Sequence, residues 1–292
     1  MAREKLWFLT LLAILITMVA EPLNGRYGVR GTTKRVDSTS SSWSTQERPI
    51  NDCSFDYSGH KVSLVTVEPD VQLEVLDWGG TGEALVLLAG LGDNAHVFDQ
   101  FAYQFNDRFH VIGITRRGFG RSSQPAGGYD VDTRVRDDIA VLDKLNIRQA
   151  LFVGHSVAGT ELNKLGAAYP ERVKKLVYLD ALDIGSSGWA ALPQPPLAPE
   201  QTPEELQSVQ RLAAAFARSD GYRKPLAAVC NMIRTDPSGR VLGPITPPEI
   251  YSKVHAGLQP ADYERIQAPA LGIFSKIVHD YGGVMLRHER AR

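Results

Sequence analysis

Residues 151–160 read LFVGHSVAGT, and this stretch decides how the chain folds around it. Its first residues are apolar or small, as in a buried strand, and a helical pattern begins directly after Ser156. A sharp turn from strand to helix strains its central residue and leaves room only for small residues two positions to either side. Gly154 and Ala158 meet that condition, so we predict a strand–turn–helix unit centred on Ser156.

Other solid apolar runs lie on both sides of this unit. They predict strands buried on both faces, as in a parallel sheet covered by helices. The runs are ALVLLAG (84–90), HVIGIT (110–115), ALFVG (150–154), KLVYLD (175–180) and ALGIFS (270–275). Helix-length segments at 130–146 and 157–169 alternate with them, and right-handed crossovers then give an α/β, doubly wound, mostly parallel sheet.

Two segments with other patterns flank the parallel strands. KVSLVTV (61–67) and VQLEVLDW (71–78) alternate apolar and polar residues, which predicts an antiparallel hairpin. Between 184 and 263 the strand pattern stops, and amphipathic helices are predicted to start at capping sequences at Thr202 and Thr246. We predict that this insertion is a helical lid over the carboxyl edge of the sheet.

The remaining boundaries follow from composition. Residues 1–25 have a positive head and an apolar run shorter than the roughly 20 residues of a spanning helix, which predicts a signal peptide and an exported protein. An uncleaved membrane anchor is the alternative. Residues 26–59 are polar and are predicted to be a flexible lead-in. The core is then predicted over 60–183, and the seventh strand with an atypical tail over 264–292.

Charge and cysteine content exclude several classes of protein. The formal net charge is −1, so no basic surplus indicates a nucleic-acid partner. Cys53 and Cys230 have no metal-ligand or redox spacing, and although an exported chain could bridge them, we predict that they are unpaired. Two glycine-containing turns lie at 89–92 and 114–125. Neither has the G-x-G-x-x-G pattern with a following acidic residue, which argues against a dinucleotide-binding domain.

Two glycine-containing turns follow the strands before Ser156. Ala89-Gly90-Leu91-Gly92 is predicted to be a tight turn into a helix that can aim the N–H of Leu91 at the same point as the N–H of Val157. Two such donors form an oxyanion hole. The later turn, ITRRGFGRSSQP (114–125), is interpreted as structural, with Arg117 tying loops together and no catalytic role.

Four motifs in this order resemble the α/β-hydrolase superfamily, in its serine-nucleophile branch. They are AGLG (89–92), RRGFGRSS (116–123), GHSVAG (154–159) and LVYLDA (176–181). The stretch 77–102 also resembles exported bacterial hydrolases of unassigned substrate. The resemblance implies that Ser156 is the nucleophile, that Leu91 and Val157 supply the oxyanion hole, that a carboxylate orients a histidine, and that no metal or organic cofactor is used.

The end of the chain departs from the family pattern. Asp180, after the sixth strand, is the preferred carboxylate, with Asp183 and Asp280 as alternatives. The family's histidine normally follows an eighth strand, but only about 17 residues follow ALGIFS, and His279 and His288 are the histidines among them. We therefore predict a C-terminally truncated product of a hydrolase gene.

Two functions are compatible with these sequence features. The first is hydrolysis of an ester or similar acyl bond in a small apolar molecule admitted under the lid, with no nucleic-acid partner and membrane contact only through an uncleaved N-terminal segment. The second is a non-catalytic member of the fold in which no triad assembles.

Overall fold

The computed structural model describes Cys53 and residues 59–181, 200–220 and 222–273. The strands are β1 Lys61–Glu68, β2 Val71–Gly79, β3 Glu83–Leu88, β4 Phe109–Ile114, β5 Ala150–His155, β6 Val173–Leu179, β7 Ile233–Thr235, β8 Val241–Pro244 and β9 Ala270–Ile273. The α-helices are α1 Asp99–Ala102, α2 Val131–Lys144, α3 Ala158–Ala168, α4 Val209–Asp220, α5 Leu226–Cys230 and α6 Pro248–Ala256. Short 3-10 helices lie at Ala95–Phe98, Pro170–Arg172, Glu205–Gln207 and Tyr263–Arg265.

Several predictions fall outside these ranges. They concern the signal peptide or anchor, nearly all of the lead-in, the first part of the lid, Asp183, Asp280, His279 and His288. Within the described ranges, no helix combines the length and the apolar character needed to cross a bilayer.

The main sheet confirms the predicted fold class. In the described part of the chain it has seven strands in the order β1-β2-β4-β3-β5-β6-β9, and β7 pairs with β8 separately. The pairs β1–β2 and β2–β4 are antiparallel, whereas the other four pairs are parallel. The predicted hairpin is thus confirmed. Because β4 adds on one side of β3 and β5 on the other, the boundary between β3 and β5 is the topological switch point of the sheet.

The central strands are buried on both faces. Phe152 and Val153 are successive residues of β5 that point to opposite faces, and neither is exposed. The helices α2 and α3 cover one face, where Leu142 and Leu162 pack into the largest apolar cluster. The solid apolar pattern of the sequence therefore reflects a sheet with no solvated face at its centre.

The described part of the predicted lid contains the expected capping box, but the α-helix that follows it starts later than predicted. The hydroxyl oxygen of Thr202 accepts the N–H of Glu205 at 3.3 Å, and the carboxylate of Glu205 accepts the N–H of Thr202 at 2.9 Å. These contacts cap only a 3-10 turn, because Ser208 is extended. The hydroxyl oxygen of Ser208 then accepts the N–H of Arg211 in the first turn of α4, at 3.2 Å.

The apolar stripe predicted for this segment packs against α5 and the β7–β8 hairpin. Its members are Leu206, Val209, Leu212, Ala213 and Phe216. The hairpin was not predicted, because strands of three and four residues are too short to show a period.

The predicted cap at Thr246 is wrong, since its hydroxyl donates to the carbonyl of Gly118 at 2.8 Å and α6 has no side-chain cap.

The prediction of unpaired cysteines is also wrong. Cys53 and Cys230 form a disulfide with their Cα atoms 5.4 Å apart. They are separated by 177 positions in the sequence, so only the tertiary fold brings them together. The bridge fastens the end of α5 to the segment that precedes β1.

Replacing both cysteines by alanine is expected to lower the free energy of unfolding by about 2–4 kcal/mol, because a cross-link over a long loop restricts the unfolded chain. Urea denaturation of the oxidised protein and of the C53A/C230A variant measures the difference. Wild-type protein treated with a reductant serves as the control and should lose a similar amount. An unchanged denaturation midpoint after reduction would contradict the prediction.

Candidate active site

The sheet topology brings the turns after β3 and β5 together. These strands are parallel neighbours, and their ends are in register where Leu88 pairs with Gly154. The turn that contains Gly90 and Leu91 and the turn that contains Ser156 therefore leave the sheet side by side at the switch point. Crevices at the carboxyl ends of strands in this position are the usual ligand sites of open α/β sheets.

Ser156 has the strained backbone that a strand–turn–helix unit requires. Its φ angle is +53°, in the left-handed region that residues other than glycine rarely adopt. Its N–H donates to the carbonyl of Leu179 on β6 at 3.0 Å, and its own carbonyl accepts the N–H of Gly159 at 2.9 Å. The turn is thus held by the neighbouring strand on one side and by α3 on the other.

Close packing explains the small residues on both sides of Ser156. A Cβ atom on Gly154 would lie 2.9 Å from Cγ of Leu162 and 3.1 Å from Cβ of Ala158. A Cβ atom on Gly159 would lie 2.7 Å from the carbonyl oxygen of Ala181. The helix therefore runs directly against the ends of β5 and β6, as the sequence predicted.

The Gly154→Ala substitution is expected to destabilise the protein by about 1–3 kcal/mol, because the added methyl group overpacks this contact. Gly127→Ala is the matched control, since a Cβ atom there meets nothing within 4 Å and the backbone at Gly127 does not have a positive φ. Chemical denaturation of both variants measures the effect. Equal stabilities of the two variants would contradict the close packing described here.

The turn after β3 touches the Ser156 turn directly. A Cβ atom on Gly90 would lie 2.8 Å from Nδ1 of His155 and 3.5 Å from Cβ of Ser156. Leu91 and Val157 pack in one apolar cluster with residues of α6. The side chains of the two residues predicted to supply the N–H donors therefore pack together, and Val157 lies at the start of α3, where helix geometry leaves N–H groups without intrahelical acceptors.

A buried ionic network, which the sequence did not reveal, joins these two turns. Arg116 donates to both carboxylate oxygens of Glu161 at 3.2 and 2.8 Å, and to the carbonyl oxygens of Ala89 and Gly90 at 2.6 and 2.9 Å. Arg134 on α2 donates to the same carboxylate at 3.2 Å. We call Arg116, Glu161 and Arg134 the Arg116 network.

The Arg116 network positions the candidate oxyanion turn relative to the first turn of α3. Burial favours the neutral form of Glu161, but Arg116 and Arg134 outweigh burial and hold its pKa below the usual range.

The neighbouring Arg117 takes the structural role predicted for it, with Nε 2.6 Å from Asp137 and a second nitrogen atom 2.7 Å from Glu68. Two adjacent arginines look alike in sequence, and only their directions in the fold separate their roles.

Asp180 lies at the edge of the same site. It follows β6, has a φ angle of +45°, and donates its N–H to the carbonyl of Ile273 on β9 at 2.9 Å. The preceding residue, Leu179, accepts the N–H of Ser156, so the two turns are adjacent. Burial lowers the pKa of His155, and the negative charges of Asp93 and Asp180 only partly offset this.

The histidines of the described ranges do not supply a partner for the Ser156 hydroxyl. His155 lies against Gly90, and His110 pairs with Asp77 at 2.9 Å. His60 and His96 both contact Asp99, and His255 is exposed on α6. Within these ranges, none of the five forms a hydrogen bond to Oγ of Ser156.

The predicted lid segment covers a cavity next to this site. The cavity has a volume of about 190 Å³ and is bordered by Gly92, Leu212, Phe216, Met232 and Tyr251, among others. Lys224 fastens the segment to the turn after β3 through an ion pair of 2.7 Å with Asp93. A mostly apolar space therefore opens beside the turn that carries Leu91.

Known proteins share this architecture. Residues 83–237, just over half of the chain, match the family model described as alpha/beta hydrolase fold. The chain belongs to the alpha/beta hydrolase fold family. The Ser156 turn and the turn after β3 both lie within the matched residues of this α/β hydrolase.

Relatives with assigned names align with part of this α/β hydrolase. 3-Oxoadipate enol-lactonase 2 of Acinetobacter baylyi is 36% identical over 128 residues, which are 43% of this chain and 48% of the relative. A non-heme chloroperoxidase of Streptomyces lividans is 35% identical over 124 residues, 41% of this chain and 45% of the relative. The chain thus spans about half the length of these curated relatives.

A solved structure covers more of this α/β hydrolase. The crystal structure of E-2-(acetamidomethylene)succinate hydrolase has a TM-score of 0.59 and 20% sequence identity, and the match covers 73% of this chain and 80% of that one. At this identity the similarity concerns the fold alone.

Proposed function

We propose that this α/β hydrolase is a serine hydrolase that cleaves an ester or a similar acyl bond of a small apolar substrate. The observation that carries the proposal is the left-handed backbone of Ser156 at the tip of the β5–α3 turn, next to Gly90. Such strain at a residue other than glycine is costly and is found mainly at functional sites.

The proposed reaction has two stages. A histidine base takes the proton of the Ser156 hydroxyl as its oxygen attacks the acyl carbon, and the carbonyl oxygen becomes negatively charged. The N–H groups of Leu91 and Val157 stabilise that charge, and loss of one such donor raises the barrier by roughly 3 kcal/mol. The leaving group departs with the proton from the histidine, and water then hydrolyses the acyl-enzyme by the same steps. This chemistry requires neither a metal ion nor an organic cofactor.

Two observations support an apolar acyl substrate. The enol-lactonase relative is named for a lactone, which is a cyclic ester, and the cavity beside Gly92 is bordered mainly by apolar side chains. For the triad carboxylate we propose Asp180, which lies next to the Ser156 turn. For the base we propose His279 or His288 in the tail.

A non-catalytic role is the second candidate function. It is favoured by one observation, namely that within the described residues no histidine is hydrogen-bonded to Ser156. In that case the turn keeps its shape because of packing, and the serine has no activated hydroxyl.

We further propose that the protein is exported, either through a cleaved signal peptide or with an N-terminal anchor. The Cys53–Cys230 disulfide supports this location, because disulfides persist in oxidising compartments and are rare in the cytosol. Immunoblotting of cell fractions with and without a signal-peptidase inhibitor tests it.

Reaction with a fluorophosphonate tests the proposed chemistry, because this probe labels activated serines and leaves ordinary ones unmodified. The full-length oxidised chain is incubated with the probe, and mass spectrometry locates the adduct. Labelling at Ser156 is the expected result, and H279Q and H288Q then identify the base by which of them abolishes labelling. A folded protein that takes no label overturns the proposal and favours the non-catalytic role.

A further inference from the structure

Two histidines and an aspartate meet in the interior, away from the groups used in the proposed reaction. Nδ1 of His60 lies 2.9 Å from Oδ1 of Asp99, and Nδ1 of His96 lies 3.5 Å from Oδ2 of the same carboxylate. Their side chains are 1%, 1% and 6% exposed. One ligand atom from each of the three lies within 4.8 Å of the others. We call this set the His60–His96–Asp99 cluster.

Two of the three spacings in the cluster agree with the coordination sphere of one zinc ion. With Zn–N and Zn–O distances of about 2.0–2.2 Å, neighbouring ligand atoms of a tetrahedral site are about 3.3–3.5 Å apart. The distance from Nδ1 of His96 to Oδ2 of Asp99, 3.5 Å, agrees with this spacing, whereas the distance from Nδ1 of His60 to Oδ1, 2.9 Å, is shorter and has to lengthen around an ion. Two imidazoles bound to one such ion have ring centroids about 5 Å apart by the same geometry. The centroids of His60 and His96 are 5.0 Å apart, with the rings inclined at 60°.

Contacts around the cluster orient its side chains as those around metal ligands do. Nε2 of His96, the ring nitrogen away from Asp99, lies 3.4 Å from Oε1 of Glu74. Oε2 of Glu74 accepts a hydrogen bond of 2.9 Å from the hydroxyl of Thr115. When Nε2 donates its hydrogen to Glu74, the lone pair of a neutral His96 lies on Nδ1 and points at Asp99. A carboxylate behind a ligating histidine is the usual arrangement at zinc sites.

Asp99 is held in the same manner. Nε1 of Trp78 donates to its Oδ1 at 3.1 Å, which fixes the plane of the carboxylate. A lone pair on Nδ1 of His96 and a carboxylate oxygen 3.5 Å away repel each other unless a positive charge lies between them. Glu74 and Asp99 are acidic residues in the interior, where a nearby positive charge stabilises them, and Arg121, with Nε 4.0 Å from Oε1 of Glu74, supplies only part of that charge.

We propose that the His60–His96–Asp99 cluster binds a divalent transition-metal ion, with zinc as the ion to test. Three protein ligands leave the fourth tetrahedral position to a water molecule. The ion would join the residue before β1 to the segment 95–99, which continues from the candidate oxyanion turn. The proposal does not rest on the proposed serine chemistry.

The competing explanation is that a proton occupies this place. Burial alone lowers the pKa of His96, but its hydrogen bonds with Asp99 and Glu74 outweigh burial and raise the pKa to about 9. In that case the same side chains form a charged hydrogen-bond network that needs no metal. The two explanations predict different metal contents of the purified protein and different changes of Tm on addition of zinc. Metal content and Tm can both be measured without any assay of activity.

The experiment measures zinc in the full-length chain. The protein is stripped with a chelator under mild denaturation, refolded with a small excess of Zn²⁺ or of Mg²⁺, passed through a desalting column and analysed by plasma mass spectrometry. About one zinc per chain, no retained magnesium and a higher Tm with zinc are expected. X-ray absorption at the zinc edge should show imidazole ligands at about 2.0–2.1 Å and no sulfur.

Variants locate the ion. H60Q and H96Q should lose the zinc, and E74Q, which keeps all three ligands, should weaken zinc binding by about 10- to 100-fold. H110Q is the matched control, because His110 also pairs with an aspartate, Asp77 at 2.9 Å, but is one-third exposed and lies outside the cluster. The control should keep one zinc per chain.

Three outcomes overturn the proposal. One is a folded wild-type protein that retains no zinc and has the same Tm with and without it, which assigns the cluster to the proton-bound network. Another is zinc that H60Q and H96Q retain in full. The third, which applies even if those variants do not fold, is an absorption spectrum of the wild-type protein without imidazole ligands.

Discussion

Replacing Ser156 by alanine is expected to lower kcat/KM for a short-chain ester by about 10⁴-fold or more, the size of effect seen when a serine nucleophile is removed from an assembled triad. The reason is that in the proposed reaction the hydroxyl oxygen of Ser156 forms the bond to the acyl carbon, which an alanine side chain cannot do. Hydrolysis of p-nitrophenyl esters by the full-length chain measures this, with kcat and KM determined separately. The loss should appear mainly in kcat.

The fold should tolerate this substitution. Alanine has the same left-handed strain at φ +53° as serine, and the backbone contacts of the turn to Leu179 and Gly159 do not involve the side chain. Ser252→Ala is the matched control, because Ser252 is exposed on α6. Its kcat/KM and Tm should equal those of the wild-type protein. Ester hydrolysis that persists in the Ser156→Ala variant would place the activity elsewhere in the chain and contradict the proposed nucleophile.

Replacing Glu161 by glutamine is expected to lower the free energy of unfolding by about 3–5 kcal/mol, because it leaves two buried arginines without their anionic partner. Glutamine keeps nearly the same volume, so the loss comes from charge and not from a cavity. Arg116 and Arg134 are both less than a tenth exposed, and the carboxylate of Glu161 bridges them. A loss of this size is a large part of the stability of an ordinary domain. Urea denaturation at neutral pH measures it.

Asp143→Asn is the matched control for this prediction. Asp143 accepts a hydrogen bond of 2.7 Å from Arg172, but its side chain is 62% exposed, so the ion pair lies at the surface. Surface pairs contribute about 0–1 kcal/mol, and this variant should remain close to wild type. A Glu161→Gln variant as stable as Asp143→Asn would show that the Arg116 network does not hold the two turns together.

The same network links stability to the proposed chemistry. Arg116 holds the carbonyl groups of Ala89 and Gly90, the residues that precede the proposed donor Leu91. Arg116 is therefore a positioning residue, which acts on the proposed reaction only through the turn that it holds. Its guanidinium makes four contacts in fixed directions, which a lysine ammonium group cannot reproduce.

Local patterns in the sequence determined much of this protein. The solid apolar runs, the helix-length segments between them and the small residues around Ser156 predicted the parallel sheet, α2, α3 and the strained turn. They did so because periodicity and turn sterics act between residues close together in the chain. The capping box at Thr202 and Glu205 was found for the same reason, since its two hydrogen bonds join residues three positions apart.

Tertiary structure alone decided the contacts between distant segments. The Cys53–Cys230 disulfide, the choice of Arg116 for the turn and Arg117 for Asp137, and the meeting of His60, His96 and Asp99 join residues whose proximity depends on strand order. Thr246 shows the same limit, because its sequence context is that of a helix cap while its hydroxyl bonds to a loop 128 positions away. The sequence contains the residues of these contacts, but their distances and directions arise only when the sheet is assembled, because each depends on the packing of all the elements between them.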